Sequence, residues 1–112
     1  MLKPKIIIVD DHDIFRDGLK SLISLKNLAK VIGEASNGIE FLELLKKDKP
    51  NLVIMDISMP LMDGIQATEK AIELYPDINI LVLSMFGDEE YYFKMINAGV
   101  KGFVLKSSGK DE

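Results

Sequence analysis

The chain has 112 residues, 47% of them hydrophobic and 29% charged. That length suits one domain, and the apolar fraction is too high for a disordered segment. The 14 basic and 18 acidic side chains leave a net charge of −4, with the lysines scattered, so no basic patch offers counterion release at a nucleic-acid backbone. The absence of cysteine excludes a disulfide framework and a thiolate metal site. Met1 to Lys5 leads into only four apolar residues, Ile6 to Val9, too few for a signal peptide or a membrane span. The expectation is a soluble cytoplasmic domain that binds neither membrane nor nucleic acid by itself.

Ile6 to Val9 is a β-branched run of the kind buried on both faces of a sheet. From Ile14 the apolar positions change to helical spacing, with Phe15, Leu19, Leu22 and Ile23 in phase, and the pattern carries through Gly18. Val31 to Ala35 reads as a weaker strand at a sheet edge. Asn37-Gly38 punctuates the chain, and Phe41, Leu42, Leu44 and Leu45 outline a second helix that stops before Pro50.

Leu52 to Met55 is a strand ending at Asp56, and Asp63-Gly64 opens a helix closed by Pro76. Ile78 to Leu83 reads as a strand ending at Ser84. Asp88 is expected to cap a helix carrying Tyr92, Phe93, Met95 and Ile96, ended by Gly99, and Gly102 to Leu105 is a last strand ending at Lys106. Five apolar strands alternating with four helices imply a single α/β domain, a doubly wound parallel sheet with helices on both faces.

Polar residues collect where the strands end: Asp10-Asp11 after the first, then Asp56, Ser84 and Lys106. Ligands of open α/β sheets bind outside those carboxyl ends, at the switch in strand order. If strands one and three are neighbours, three carboxylates converge there, and their repulsion is costly unless a cation sits among them. Oxygen ligands without histidine or cysteine favour Mg²⁺. With a lysine and a hydroxyl added, the set suits a phosphoryl group in transfer.

These residues resemble the receiver domain of two-component response regulators. The resemblance rests on Asp10-Asp11, the run Asp56-Ile57-Ser58-Met59-Pro60-Leu61-Met62-Asp63-Gly64, Ser84 and Lys106, in order across nearly the whole chain. Val9-Asp10-Asp11-His12, with Arg16 and Gly18-Leu19, is similar to the LuxR/NarL-type branch, whose receivers precede a helix-turn-helix domain. The resemblance implies a flavodoxin-like sheet in the order 2-1-3-4-5. It makes residues 1–112 a receiver with no DNA-binding domain, so transcriptional output would run through a C-terminal domain outside this chain.

It also implies roles. Asp56 would be the nucleophile that takes a phosphoryl group from a sensor histidine kinase. Asp10, Asp11, Asp56 and the backbone carbonyl of Ser58 would hold Mg²⁺. Lys106 would pair with Asp56 at rest and with the phosphoryl oxygens afterwards. Ser84 would swing in to bond a phosphoryl oxygen, and Phe103 would be the aromatic whose rotamer follows it. Such a chain is a switch rather than a turnover enzyme. Ser58 and Phe86 occupy positions that tune dephosphorylation in the family, with the apolar Phe86 expected to hinder an attacking water.

Plainer readings cover other residues. Asp63 is expected to cap the third helix, and His12 stays outside the site because no second histidine supports it. Tyr91, Tyr92 and Phe93 read as core and rim of an amphipathic helix, and Glu40, Glu43, Lys46 and Lys47 as a solvated face.

Three departures from the family pattern carry consequences. Ser107 follows Lys106 where the family often has proline and a cis peptide; a non-proline cis bond costs about 3 kcal/mol, which favours trans. Phe103 lacks the hydroxyl of the commoner tyrosine, leaving its switching to packing. Only six residues follow Lys106, too few for a full fifth helix, which points to a truncated chain or to a homodimer covering the apolar surface left open. Two other functions compete: a Mg²⁺-dependent aspartyl-phosphate phosphatase, which usually shows Asp-x-Asp where Asp56-Ile57-Ser58 stands, and a pseudo-receiver that binds partners unphosphorylated.

Overall fold

In the computed structural model, which describes residues 3–85 and 87–106, strand and helix alternate along the chain. The elements are β1 (Lys5–Val9), α1 (Asp13–Leu25), β2 (Lys30–Ala35), α2 (Gly38–Leu45) and β3 (Leu52–Asp56), then α3 (Gly64–Leu74), β4 (Ile80–Ser84), α4 (Tyr92–Ala98) and β5 (Gly102–Leu105). All pairings are parallel and the strand order is β2-β1-β3-β4-β5. The expected flavodoxin-like order is therefore present, with the weaker second strand at an edge.

The period-2 alternation of β1 divides the core. Ile6 and Ile8 pack with Ile23, Ile54 and Leu83 beneath α1. Ile7 and Val9 join the larger cluster, which includes Phe41 of α2, Ala67 and Ala71 of α3 and Met95 of α4. One helix thus covers one face and three cover the other. Among the described residues there is no fifth α-helix, and apolar side chains stand open: Ile14, Leu22 and Leu25 on α1, Val104 and Leu105 on β5. No described helix is long and apolar enough to cross a membrane.

Two boundaries differ from expectation. The fourth strand begins at Ile80 rather than Ile78, because the Ile78 amide bonds back to the Tyr75 carbonyl at 3.0 Å and closes a turn. Asp88 does not cap a helix of the expected kind. Gly87, left-handed at φ 100°, stands at the start of a 3-10 turn over Asp88–Tyr91, and a seven-residue α4 follows. The Asp88 carboxylate instead reaches back to accept from the Met85 amide at 2.8 Å.

Candidate functional site

Since β1 and β3 are parallel neighbours with Val9 opposite Met55, the residues that follow lie side by side. Asp10 is fully buried and Asp56, the last residue of β3, is 3% exposed. One ligand atom from each of Asp10, Asp11, His12 and Asp56 lies within 4.8 Å of all the others. The expected convergence of three carboxylates is present. Its electrostatic cost falls on Asp56, whose pKa is pushed up from 3.8 to about 6. Burial is the main cause and repulsion from Asp10 and Asp11 adds to it, while Lys106 offsets part.

Lys106, on the far edge strand's end, reaches back across the mouth. Its ammonium lies 2.8 Å from Asp10 Oδ2 and 3.5 Å from Asp56 Oδ2, with the side chain 7% exposed. The closer contact at rest is thus Asp10 rather than Asp56. It is an ion pair whose angles fall outside hydrogen-bond geometry. The Lys106 charge also sits over the Phe15 ring, 4.7 Å from its centre.

The β1–α1 turn is tied by the same aspartate. Asp10 Oδ1 accepts from the His12 amide at 2.8 Å, and Arg16 donates to the Asp10 carbonyl while pairing with Glu34 at 3.0 Å. His12, left outside the site by the sequence reading, stands at its rim. Its Nδ1 is 2.7 Å from Lys106 Nζ and 3.2 Å from Asp10 Oδ1. An ammonium needs that nitrogen bare and a carboxylate needs it protonated, so both bonds cannot form at once. Which of the two bonds forms follows the tautomer of the ring. Adjacency to Asp10-Asp11 was the available signal.

After Asp56 the backbone is closely confined. The Met62 amide bonds to the Pro60 carbonyl at 2.7 Å across Leu61, whose φ is +68°, a γ-turn of the strained kind. Gly64 runs so near the acceptor's backbone that an added Cβ would lie 2.0 Å from the Asp56 carbonyl oxygen. Asp63 caps α3 as expected: it accepts from the Gln66 amide at 2.9 Å while Gln66 accepts from the Asp63 amide at 3.2 Å. Ser58 is exposed in this loop, two residues past Asp56.

On the other side, Ser84 pairs with Leu105 across β4 and β5, while Leu83 pairs with Asp56. Ser84 is buried and its Oγ lies 2.9 Å from the Tyr92 hydroxyl. Tyr92 stacks on Phe103 with ring centres 4.3 Å apart and planes at 27°. The sequence pattern places Tyr92 only in the core or rim of an amphipathic helix. Its approach to Ser84 depends on the length of the intervening turn, for which the sequence carries no signal. Phe86 and the Lys106–Ser107 peptide lie outside the described residues.

The donor set fits a hard cation. Asp11 Oδ1 is buried with no hydrogen-bond donor among the described residues, beside two more carboxylates. Unsatisfied oxygens of this kind match the ligands that Mg²⁺ takes.

Comparison with known proteins agrees with the fold. The family described as "Response regulator receiver domain" matches residues 6–112, and the chain belongs to it. It is a signalling domain of the LuxR/NarL type. It is 44% identical over 108 residues to the uncharacterized transcriptional regulatory protein YhcZ of Bacillus subtilis (strain 168), covering 96% of this chain and 50% of that protein. The receiver domain of the putative response regulator NarL from Mycobacterium tuberculosis superposes with a TM-score of 0.86 at 33% identity, over 96% of this chain and 87% of that one. A LuxR-family response regulator from Aurantimonas sp. SI85-9A1 gives a TM-score of 0.88 at 33% identity, over 96% and 76%. The chain spans about half the length of the curated relatives it matches.

Proposed function

We propose that this chain is a Mg²⁺-dependent phosphoacceptor switch in which Asp56 takes a phosphoryl group from a phosphohistidine of a sensor histidine kinase. The observation that carries this reading is the meeting of Asp10, Asp11 and Asp56 within 4.8 Å, with Lys106 Nζ 2.8 Å and 3.5 Å from two of them. An Asp56 oxygen attacks phosphorus; the P–O bond forms as the P–N bond breaks, and the imidazole leaves with the electron pair. Asp10, Asp11, Asp56 and the Ser58 carbonyl would hold Mg²⁺, which when bound supplies charge neutralisation for the phosphoryl oxygens. Lys106 already sits between Asp10 and Asp56 and needs only to turn toward a phosphoryl oxygen. Ser84 donates to another, and Phe103 follows it.

The output is a change in protein contacts rather than repeated turnover. Residues 1–112 would act as the receiver of a cytoplasmic regulator whose transcriptional effect runs through a C-terminal DNA-binding domain outside this chain. The exposed Ile14, Leu22, Leu25, Val104 and Leu105 support a homodimer as a second partner state. A phosphatase would need a general acid, and Ser58 offers none, so that reading is weaker. Intact mass after incubation with Mg²⁺ and acetyl phosphate tests the proposal. One phosphoryl group should add to the parent, and none to Asp56→Asn or to the parent in EDTA. An adduct on Asp56→Asn, or none on the parent, would overturn it.

A further inference from the structure

We infer that Tyr92 is a positioning residue for phosphoryl acceptance: its hydroxyl holds Ser84 away from the site at rest and yields when Ser84 turns to a phosphoryl oxygen. This inference rests on the phosphoacceptor reading of Asp56. Ser84 Oγ lies 2.9 Å from the Tyr92 hydroxyl and 3.5 Å from the Val104 carbonyl oxygen. A serine hydroxyl carries one proton. Either Ser84 donates it to Tyr92, or Tyr92 donates to Ser84 and the serine proton points at Val104. In both arrangements that proton is committed away from the carboxylates.

Bonding a phosphoryl oxygen therefore requires Ser84 to rotate and the contact with Tyr92 to break. Ser84 is only 1% exposed and Tyr92 is half-buried, so the released phenol hydroxyl must find a new partner or move toward water. The Tyr92 ring is stacked on Phe103 at 4.3 Å, so a shift of one disturbs the other. Phe103 has no hydroxyl with which to report on Ser84; Tyr92 supplies one from the helix. The motion would emerge where apolar side chains already face solvent, at Phe93 and Ile96 of α4 and Val104 and Leu105 of β5.

The equilibrium between the two Ser84 positions sets how often the site is ready. Tyr92→Phe keeps the ring and its stack but removes the competing partner. It should accept phosphoryl from acetyl phosphate about 3- to 10-fold faster than the parent, the range one hydrogen bond spans. Its thermal unfolding midpoint should fall by only the ~4–8 °C that one such lost bond costs a domain of this size, which excludes general loosening as the cause. In a Ser84→Ala background the same change should add nothing, because the bond is already gone.

A second readout follows the phenol directly. In protein labelled with 3-fluorotyrosine, the Tyr92 ¹⁹F line is identified by its loss in Tyr92→Phe. It should move on phosphorylation of the parent, and in unphosphorylated Ser84→Ala it should already be displaced. A parent that forms the adduct while its Tyr92 line stays fixed, with Tyr92→Phe no faster, would overturn the inference and leave the acceptor intact. A parent that forms no adduct would overturn both.

Discussion

The loops that follow β3 and β4 lie on neighbouring strands yet differ in how firmly they are held. After β3, the chain makes a γ-turn across Leu61, passes Gly64 against the Asp56 carbonyl, and enters α3 through a two-way capping box. The Gly38 amide bonds to the Met62 carbonyl at 2.9 Å and ties this loop to α2. After β4, the chain passes through a 3-10 turn into a seven-residue helix in which only Met95 is buried. Phe93 there is 76% exposed. The first loop holds an acceptor among charges that repel it, which demands fixed backbone. The second gives up little when it shifts, and segments with few buried contacts are the ones that move in switching.

Exchanging alanine for a glycine in each loop is the sharpest way to break this comparison. At Gly64 the new methyl would meet backbone 2.0 Å away, and backbone cannot step aside as a side chain does. Gly64→Ala should destabilise by about 3 kcal/mol and disturb acceptance at Asp56. Gly87 has open space around its Cβ position but a φ of +100°, so Gly87→Ala should cost only about 1 kcal/mol. Chemical denaturation of both variants measures the difference; equal costs would show the two loops to be equally tolerant.

The charge cost of the acceptor end is read by pH. The folded-state pKa of Asp56, about 6, lies above its ordinary 3.8, so the folded chain binds that proton more tightly than the unfolded one. The resulting stability is present at low pH and is lost as pH rises through this window. Without added metal, the parent should lose on the order of 2–3 kcal/mol relative to Asp56→Asn between about pH 4 and about pH 7. A flat difference between the two proteins would mean that neither burial nor the neighbouring carboxylates burden Asp56.

The aspartates at the two loop ends, one a helix cap and one not, give the smallest contrast. Asp63 exchanges bonds with Gln66 at the head of an eleven-residue helix, and Asp63→Ala should cost about 1 kcal/mol. Asp88 bonds one amide, that of Met85, in an exposed turn, and Asp88→Ala should cost about half as much. Thermal unfolding resolves the two if the comparison holds, and a larger loss from Asp88→Ala would reverse it.

The firmly held region is also the part that was legible in sequence. Ile6 to Val9 and Leu52 to Met55 are short apolar runs rich in β-branched residues and bounded by polar ones, which suits buried strands, and Pro60 and Gly64 flag a loop that only particular residues can make. The convergence of Asp10, Asp11 and Asp56 needs β1 beside β3, an order that the resemblance to receiver domains implies, as it does the pairing of Lys106. What escaped depends on tertiary distance: His12 reaching Lys106, Lys106 lying closer to Asp10 than to Asp56, and Tyr92 meeting Ser84. At Asp88 the structure departs from the expected helix cap because a glycine with positive φ and a back-reaching carboxylate form a tight turn there instead.

The contrast between the two loops is tested most directly by mapping backbone amide shifts on phosphorylation with acetyl phosphate and Mg²⁺. The account predicts changes that begin at Asp10-Asp11 and Asp56 and continue through Ser84, α4 and β5, with α2 nearly still. Changes confined to the surroundings of Asp56, with Ser84, Tyr92 and Phe103 unmoved, would contradict it.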